Sequence, residues 1–110
     1  MKGKIILLPF PFTNLKSIKR RPALAILERP SDVVVLFISS NIPKSITQHH
    51  VVIDKSDKSF RITGLKVSST IYLDKIAIIK KKLIIGELGD IDKRVKHEIN
   101  KKMKKIYNLK

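Results

Sequence analysis

The chain has 110 residues, 43% hydrophobic and 30% charged, which suits one domain around one core and is too apolar for a disordered chain. Twenty-four Lys and Arg stand against nine Asp and Glu, a formal net charge of +15, and this points to a phosphate polymer before an anionic membrane surface, an acidic protein or a merely solvated Lys-rich surface. There is no cysteine, which excludes disulfides and thiolate chemistry and makes a reducing cytoplasm the default location.

The charge is uneven. Residues 1–30 carry seven cations and one anion, residues 91–110 eight and two, and the sixty between them nine and six. No apolar run approaches the ~20 residues of a membrane span. The opening MKGKIILLPFPF has a basic start and a short apolar stretch, like a signal peptide, but Pro9 and Pro11 interrupt it and no small-residue cleavage site follows. It reads as a first strand. No repeat, linker or internal boundary is visible, so residues 1–110 are taken as a single domain.

In chain order, Lys4–Leu8 is β-rich and meets Pro9, whose missing N–H stops a ladder. Ala23–Leu27 suits a short buried strand. Val33–Ser39 is β-branched and almost wholly apolar, as in the centre of a sheet. His50–Ile53 is another short strand. Ser69–Ile79 alternates, with Ile71, Leu73 and Lys75 facing one way and Tyr72, Asp74 and Ile76 the other. Ile84–Ile85 extends the pairing before Gly86. The period then changes. Ile91, Val95, Ile99, Met103 and Ile106 recur every three to four residues and line one face of a helix whose opposite face is Lys-rich. Gly89-Asp90 offers an N-cap, and Asp92 suits the first turn. Five or six strands and one amphipathic helix predict a small, strongly curved antiparallel sheet or barrel, partly covered by the helix.

Three cations in a row, Lys19, Arg20 and Arg21, precede Pro22. A guanidinium is a flat fork of donors that matches phosphate oxygens and stays charged. Pro22 holds Arg21 extended and presents it at a defined angle, while one of the two arginines can simply be solvated. Ser39-Ser40-Asn41 follows the most apolar strand. Its hydroxyls can donate to a phosphate oxygen, although by spacing alone an ordinary turn is the stronger reading. Asp74 lies within an apolar strand. If its face is buried it needs an ion-pair partner, or it serves in proton transfer beside a guanidinium. His49 and His50 are adjacent, so in a strand they point apart, and no other His or Cys stands at ligand spacing. No metal and no cofactor are expected. Phe10, Phe12 and Phe60 read as core or loop anchors, with one first-loop Phe able to stack on a base.

These segments carry a resemblance. "KGKIILLPFPFTNLKSIKRRPALAIL" is similar to the opening of the MazF/PemK toxins, with its "PFPFTDL", variable loop and "RRPALVL". "DVVVLFISS" resembles their second block. "GLKVSSTIYLDKIAII" resembles "GLKKPSVVRLDKIRTI", and "LIIGELGD" precedes a final helix. The resemblance covers nearly the whole chain. It implies an SH3-like antiparallel β-barrel of MazF/PemK/CcdB type with a C-terminal helix, a homodimer, and the ribonuclease half of a type II toxin–antitoxin pair in the cytoplasm. Such toxins cut single-stranded RNA without metal, by attack of the 2′-hydroxyl on the adjacent phosphorus, and an acidic antitoxin silences them. On this resemblance Arg21, Ser39 and Asp74 match catalytic positions: the arginine before proline, the hydroxyl after the apolar strand, and the general base of the PemK branch. Lys16, Ser17, Lys19 and Arg20 in and after the first loop, with Ser40 and Tyr72, are the expected RNA contacts. Tyr72 stands where that branch has an arginine general acid, Gly3-Lys4 where the family has Gly-Asp, and Asn14 where it has Asp. The Tyr72 change favours a second reading, a non-catalytic nucleic-acid- or protein-binding module on the same barrel, including a gyrase-directed toxin.

Overall fold

The structure is a computed structural model and describes residues 1–10 and 19–108, with only the backbone of Phe10. Lys16, Ser17 and Phe12 lie outside the described residues. The strands are β1 (Lys4–Phe10), β2 (Lys19–Glu28), β3 (Asp32–Ser39), β4 (His50–Ile53), β5 (Ser69–Lys80) and β6 (Gly86–Asp90). Short 3-10 turns occupy Arg61–Thr63 and Lys81–Leu83, and one helix, α1, runs from Lys93 to Tyr107. All strand pairs are antiparallel, in the order β4-β5-β3-β2-β1-β6. The near-continuous apolar run of β3 therefore lies between β5 and β2, where both faces are covered.

The sheet buries two apolar sets. On one face Ile5, Leu24, Leu36, Ile38, Val51, Ile53, Ile71 and Leu73 pack with Ile91, Val95 and Ile99. Burying each such side chain is worth roughly 1.5–3 kcal/mol before the entropy of ordering it. The 3.6-residue stripe of α1 thus meets the face made by the two-residue period of the strands, with Met103 and Ile106 half-buried beside it. On the other face Ile6, Leu8, Ala23, Ala25, Val33, Val35 and Ile79 form a second cluster, joined by Met1 and Ile84.

The curl of the sheet closes through the turn at Arg61–Thr63, which lies flat on β6. A Cβ on Gly64 would stand 2.2 Å from the Leu88 carbonyl oxygen, and one on Gly89 2.2 Å from that of Ile62. Gly64 also has φ +72°, a left-handed conformation that a side chain disfavours. Only glycine permits both the turn and the contact.

The helix begins two residues later than the Gly89-Asp90 signal suggests. Asp92 is the N-cap: its Oδ1 accepts the Val95 N–H at 2.9 Å, and its Oδ2 accepts the hydroxyl of buried Ser59. The Ser59 bond and the Val95 amide hold the Asp92 carboxyl below the usual carboxylate range. Arg94 donates to Ser59 Oγ at 3.0 Å and pairs with Asp57 at 3.1 Å, which ties the helix start to the segment after β4. Asp90 instead ends β6 and pairs with Lys4 at 2.7 Å.

Candidate active site

The cations before Pro22 are not on a loop. They form the first turnless stretch of β2, and Lys19, Arg20 and Arg21 pair with Phe10, Pro9 and Leu8 of β1. On its other side β2 pairs with β3 only from Ala23, opposite Phe37, onwards. Pro22 has no N–H to continue that ladder. Arg21 and Ser39 each lie two residues beyond the Ala23–Phe37 pair, past the end of the ladder. The mouth left between the two strand ends is a cleft of about 660 Å³.

Among the described residues Lys19, Arg20, Arg21 and Lys66 line this cleft, with the hydroxyl residues Ser39, Ser40 and Ser69 and no carboxylate. Its apolar surface comes from Leu7, Pro22, Ile38, Leu65, Val67 and Leu88. Four cations and no acid favour an anion, and a partly apolar wall lowers the local dielectric and strengthens that attraction. Arg21 is half-buried, and its Nε is withdrawn from solvent, so the guanidinium is held rather than waving in water. Ser39 Oγ accepts the Asn41 N–H at 3.1 Å, the turn the Ser-Ser-Asn signal predicts. That bond uses an oxygen lone pair and leaves the hydroxyl proton for a ligand. Ser39 is also opposite Thr70 of β5, whose hydroxyl donates to the Asn41 carbonyl at 3.0 Å, so the β3 end is braced from two sides.

Five of the expected residues therefore converge: Lys19, Arg20, Arg21, Ser39 and Ser40. Lys66, Ser69 and the wall from Gly64 to Val67 were not singled out in the sequence. The only signal for them was the "GLKVSS" string, which resembles the family's third block without marking Lys66 as a contact. No aromatic ring lines the cleft among the described residues.

Asp74 and Tyr72 are not among the lining residues. β5 leaves its register with β3 between Ile71, paired with Ile38, and Ile76, paired with Leu36. Four residues, Tyr72 to Lys75, thus face the single residue Phe37. This bulge breaks the expected alternation, so Asp74, Lys75 and Ile76 are all exposed and the Asp74 carboxylate carries no burial penalty. The bulge is well held. Tyr72 pairs with His50 of β4, their rings meet edge-on at 5.3 Å, and the Lys75 ammonium lies 4.4 Å from the Tyr72 ring centre. From α1, Tyr107 donates to the Leu73 carbonyl at 2.7 Å and Lys102 to the His50 carbonyl at 2.8 Å. The two histidines serve the turn before β4: His50 Nδ1 accepts the Thr47 N–H at 3.1 Å, and His49 Nδ1 lies 3.3 Å from Thr47 Oγ1. No group of three or more His, Cys, Asp or Glu able to hold a metal occurs among the described residues.

Against known proteins, the family model described as "PemK-like, MazF-like toxin of type II toxin-antitoxin system" matches residues 1–107. No curated protein matches the chain in sequence. Among solved structures, an endoribonuclease in complex with its cognate antitoxin from a mycobacterial species is similar at a TM-score of 0.73 and 16% identity, covering 100% of this chain and 96% of that one. The Mycobacterium tuberculosis toxin MazF-mt6 gives 0.71 and 18%, covering 97% and 98%. MazF from Deinococcus radiodurans gives 0.70 and 17%, covering 98% and 96%. At such identities these likenesses speak for the fold, a curled six-stranded sheet with a C-terminal helix.

Proposed function

The chain belongs to the PemK-like, MazF-like toxins of type II toxin–antitoxin systems, and from that premise we propose that it is an endoribonuclease that cleaves single-stranded RNA without metal. The observation that carries this reading is the meeting of Arg21 and Ser39 in one cleft, past the paired ends of β2 and β3, with three further cations and, among the described residues, no acid.

The chemistry needs little else. The 2′-oxygen of a ribose attacks the adjacent phosphorus. The bond from phosphorus to the 5′-oxygen of the next nucleotide breaks and that oxygen takes a proton from water, leaving a 2′,3′-cyclic phosphate and a 5′-hydroxyl. Negative charge gathers on the non-bridging oxygens in the transition state. Arg21 neutralises it with its fork, and the Ser39 hydroxyl donates to it. Lys19, Arg20, Lys66 and Ser40 hold the flanking phosphates. The substrate carries its own nucleophile, so neither a covalent intermediate nor a metal-bound hydroxide is required.

In this reading Asp74 takes the 2′ proton and Tyr72 contacts the RNA beyond the cleft. A general base works only within hydrogen-bond reach of its proton. Asp74 lies outside the cleft lining, so its role requires the Tyr72–Lys75 bulge to approach the bound RNA. Asp74→Asn separates the cases. A large loss of rate assigns the base, and an unchanged rate makes the residue structural and passes the proton to water.

The remaining elements of the proposal are a cytoplasmic homodimer and an acidic antitoxin lying over the cationic cleft. The similar mycobacterial endoribonuclease in complex with its cognate antitoxin favours the second. The apolar row Leu27, Val34 and Ile78, aligned across β2, β3 and β5 and largely exposed at its ends, favours the first. The test of the function is a comparison of the wild-type chain with Arg21→Ala on a long unstructured RNA. Cleavage should fall by orders of magnitude while RNA binding falls less. Binding without cleavage in both proteins would favour the non-catalytic module, which the exchange of the branch's arginine for Tyr72 also favours.

A further inference from the structure

We propose that the outward face of α1 is a second RNA surface, a strip that follows the phosphate backbone outside the cleft; this rests on the reading of the substrate as RNA. The helix turns Val95, Ile99, Met103 and Ile106 to the sheet. On the opposite side Lys93, His97, Lys101 and Lys104 follow one another at intervals of four, four and three residues, with Lys105 alongside, and all five are exposed. Fifteen helical residues span about 22 Å, so the strip is a line of cations rather than a point.

The charges on this strip are unspent. Among the described residues Lys93, Lys101, Lys104 and Lys105 hold no ion pair. The one acid within the helix, Glu98, is taken by Lys102 at 3.2 Å, and Arg94 is taken by Asp57. Helix stability accounts for only part of them, since Lys104 and Lys105 in the last turn complement the negative end of the helix dipole while Lys93 and Lys101 do not. A solvated helix gains from opposite charges three or four residues apart, whereas Lys101 meets like charges at both spacings, in Lys104 and Lys105. The first turn contains no acid and holds Lys93 at the positive end of the helix dipole. None of the residues lining the cleft belongs to α1, so this is a separate surface.

The chemistry of the strip selects its partner. Binding in the plane of a bilayer needs an apolar helix face, and that of α1 is already spent on the core. A stable protein interface needs an apolar centre, which the strip lacks along its length. A phosphate backbone needs only spaced cations, each released counterion adding affinity.

The test is the quadruple variant K93Q/K101Q/K104Q/K105Q, glutamine keeping helix propensity. Binding is measured to a 2′-O-methyl RNA of thirty nucleotides, which cannot be cleaved, and to one of six nucleotides, over a range of salt. Cleavage of ordinary RNA is followed in parallel. Losing four single-strand contacts at ~0.7 each makes the log–log salt slope shallower by about 3 for the long RNA. Between 50 and 200 mM salt the wild type should then lose about fifty-fold more affinity than the variant, while the short RNA binds both alike and kcat stays unchanged. An unchanged slope on the long RNA, with the melting curve intact, overturns the proposal and leaves the strip as a solvated face. If the slope on RNA is unchanged but a thirty-residue polyglutamate chain binds the variant less well, the partner is an acidic polypeptide and the proposal is equally overturned. Absence of cleavage by the wild type would refute the ribonuclease reading and leave the binding measurement to judge the strip by itself.

Discussion

Arg21 and Ser39 line one cleft past the paired ends of two strands, so they should act on one phosphate, and a double-mutant cycle tests this. In the proposed ribonuclease, Arg21→Ala removes the guanidinium that would meet the charge developing on the phosphate oxygens. Losing one such donor costs about 2.7–4 kcal/mol of transition-state stabilisation, or roughly 10²–10³ in rate. Ser39→Ala removes one hydrogen bond to a charged group, about 1.5–3 kcal/mol, or roughly 10–100-fold. It also leaves the exposed Asn41 N–H to water, a minor loss. Independent effects would multiply to ~10³–10⁵. Two groups on one phosphate do not act independently, and the double variant should fall short of the product by about 0.5–3 kcal/mol. Arg21→Lys keeps the charge but loses the fork, and should land between wild type and Arg21→Ala. The assay is single-turnover cleavage of a labelled RNA with enzyme in excess, with melting curves to exclude misfolding. Strict additivity, or an Arg21→Ala rate within threefold of wild type, would refute the shared-phosphate geometry.

Gly64→Ala combines a left-handed backbone with a Cβ 2.2 Å from a carbonyl oxygen, and should cost about 2–4 kcal/mol. At about 4 °C per kcal/mol for a domain of this size, the melting temperature falls by about 8–16 °C. Gly86→Ala, with open space around its Cβ, is the control and should change little. Asp92→Ala removes the N-cap of α1 and the acceptor of buried Ser59, and should cost about 1–3 kcal/mol by denaturant unfolding. Asp92→Asn keeps one acceptor oxygen for the Val95 N–H but turns an NH2 donor toward Ser59, and should recover only the capping part of that loss. Glu28, bonded to Lys81 Nζ and the Met1 ammonium at 2.6 and 2.7 Å, has its carboxyl lowered from 4.5 to about 2. A lowered carboxyl gives stability that is complete above the unfolded value and is lost as pH falls toward 2. The melting temperature of Glu28→Gln should therefore fall less than that of wild type between pH 4.5 and 2.

Much of this architecture is legible in the sequence because its strands are short apolar runs and its helix changes the period. β3 is recognisable as central from its composition alone, and β4 from four residues. β6, "GELGD", is not, because an edge strand with four of its five residues exposed has no apolar pattern to show. The helix cap was displaced by two residues because Asp90 and Asp92 look alike locally. Only the distant Ser59 hydroxyl and the Lys4 ammonium distinguish them. At the site, the cations before Pro22 and the hydroxyl after β3 were readable because each lies at a strand end. Lys66 was not, since the curl of the sheet brings it to the cleft. For Asp74 the sequence leaves burial open, and a bulge that no local pattern announces decides it by leaving the residue exposed.

In the proposed reaction this cleft cuts RNA through the substrate's own 2′-hydroxyl. The most direct measurement is mass spectrometry of fragment ends after incubating the purified chain with a long unstructured RNA in EDTA. Discrete cuts that carry 2′,3′-cyclic phosphate and 5′-hydroxyl ends and vanish with Arg21→Ala are expected. Intact RNA from folded protein free of antitoxin, or fragments ending in 3′-hydroxyl and 5′-phosphate, would contradict it.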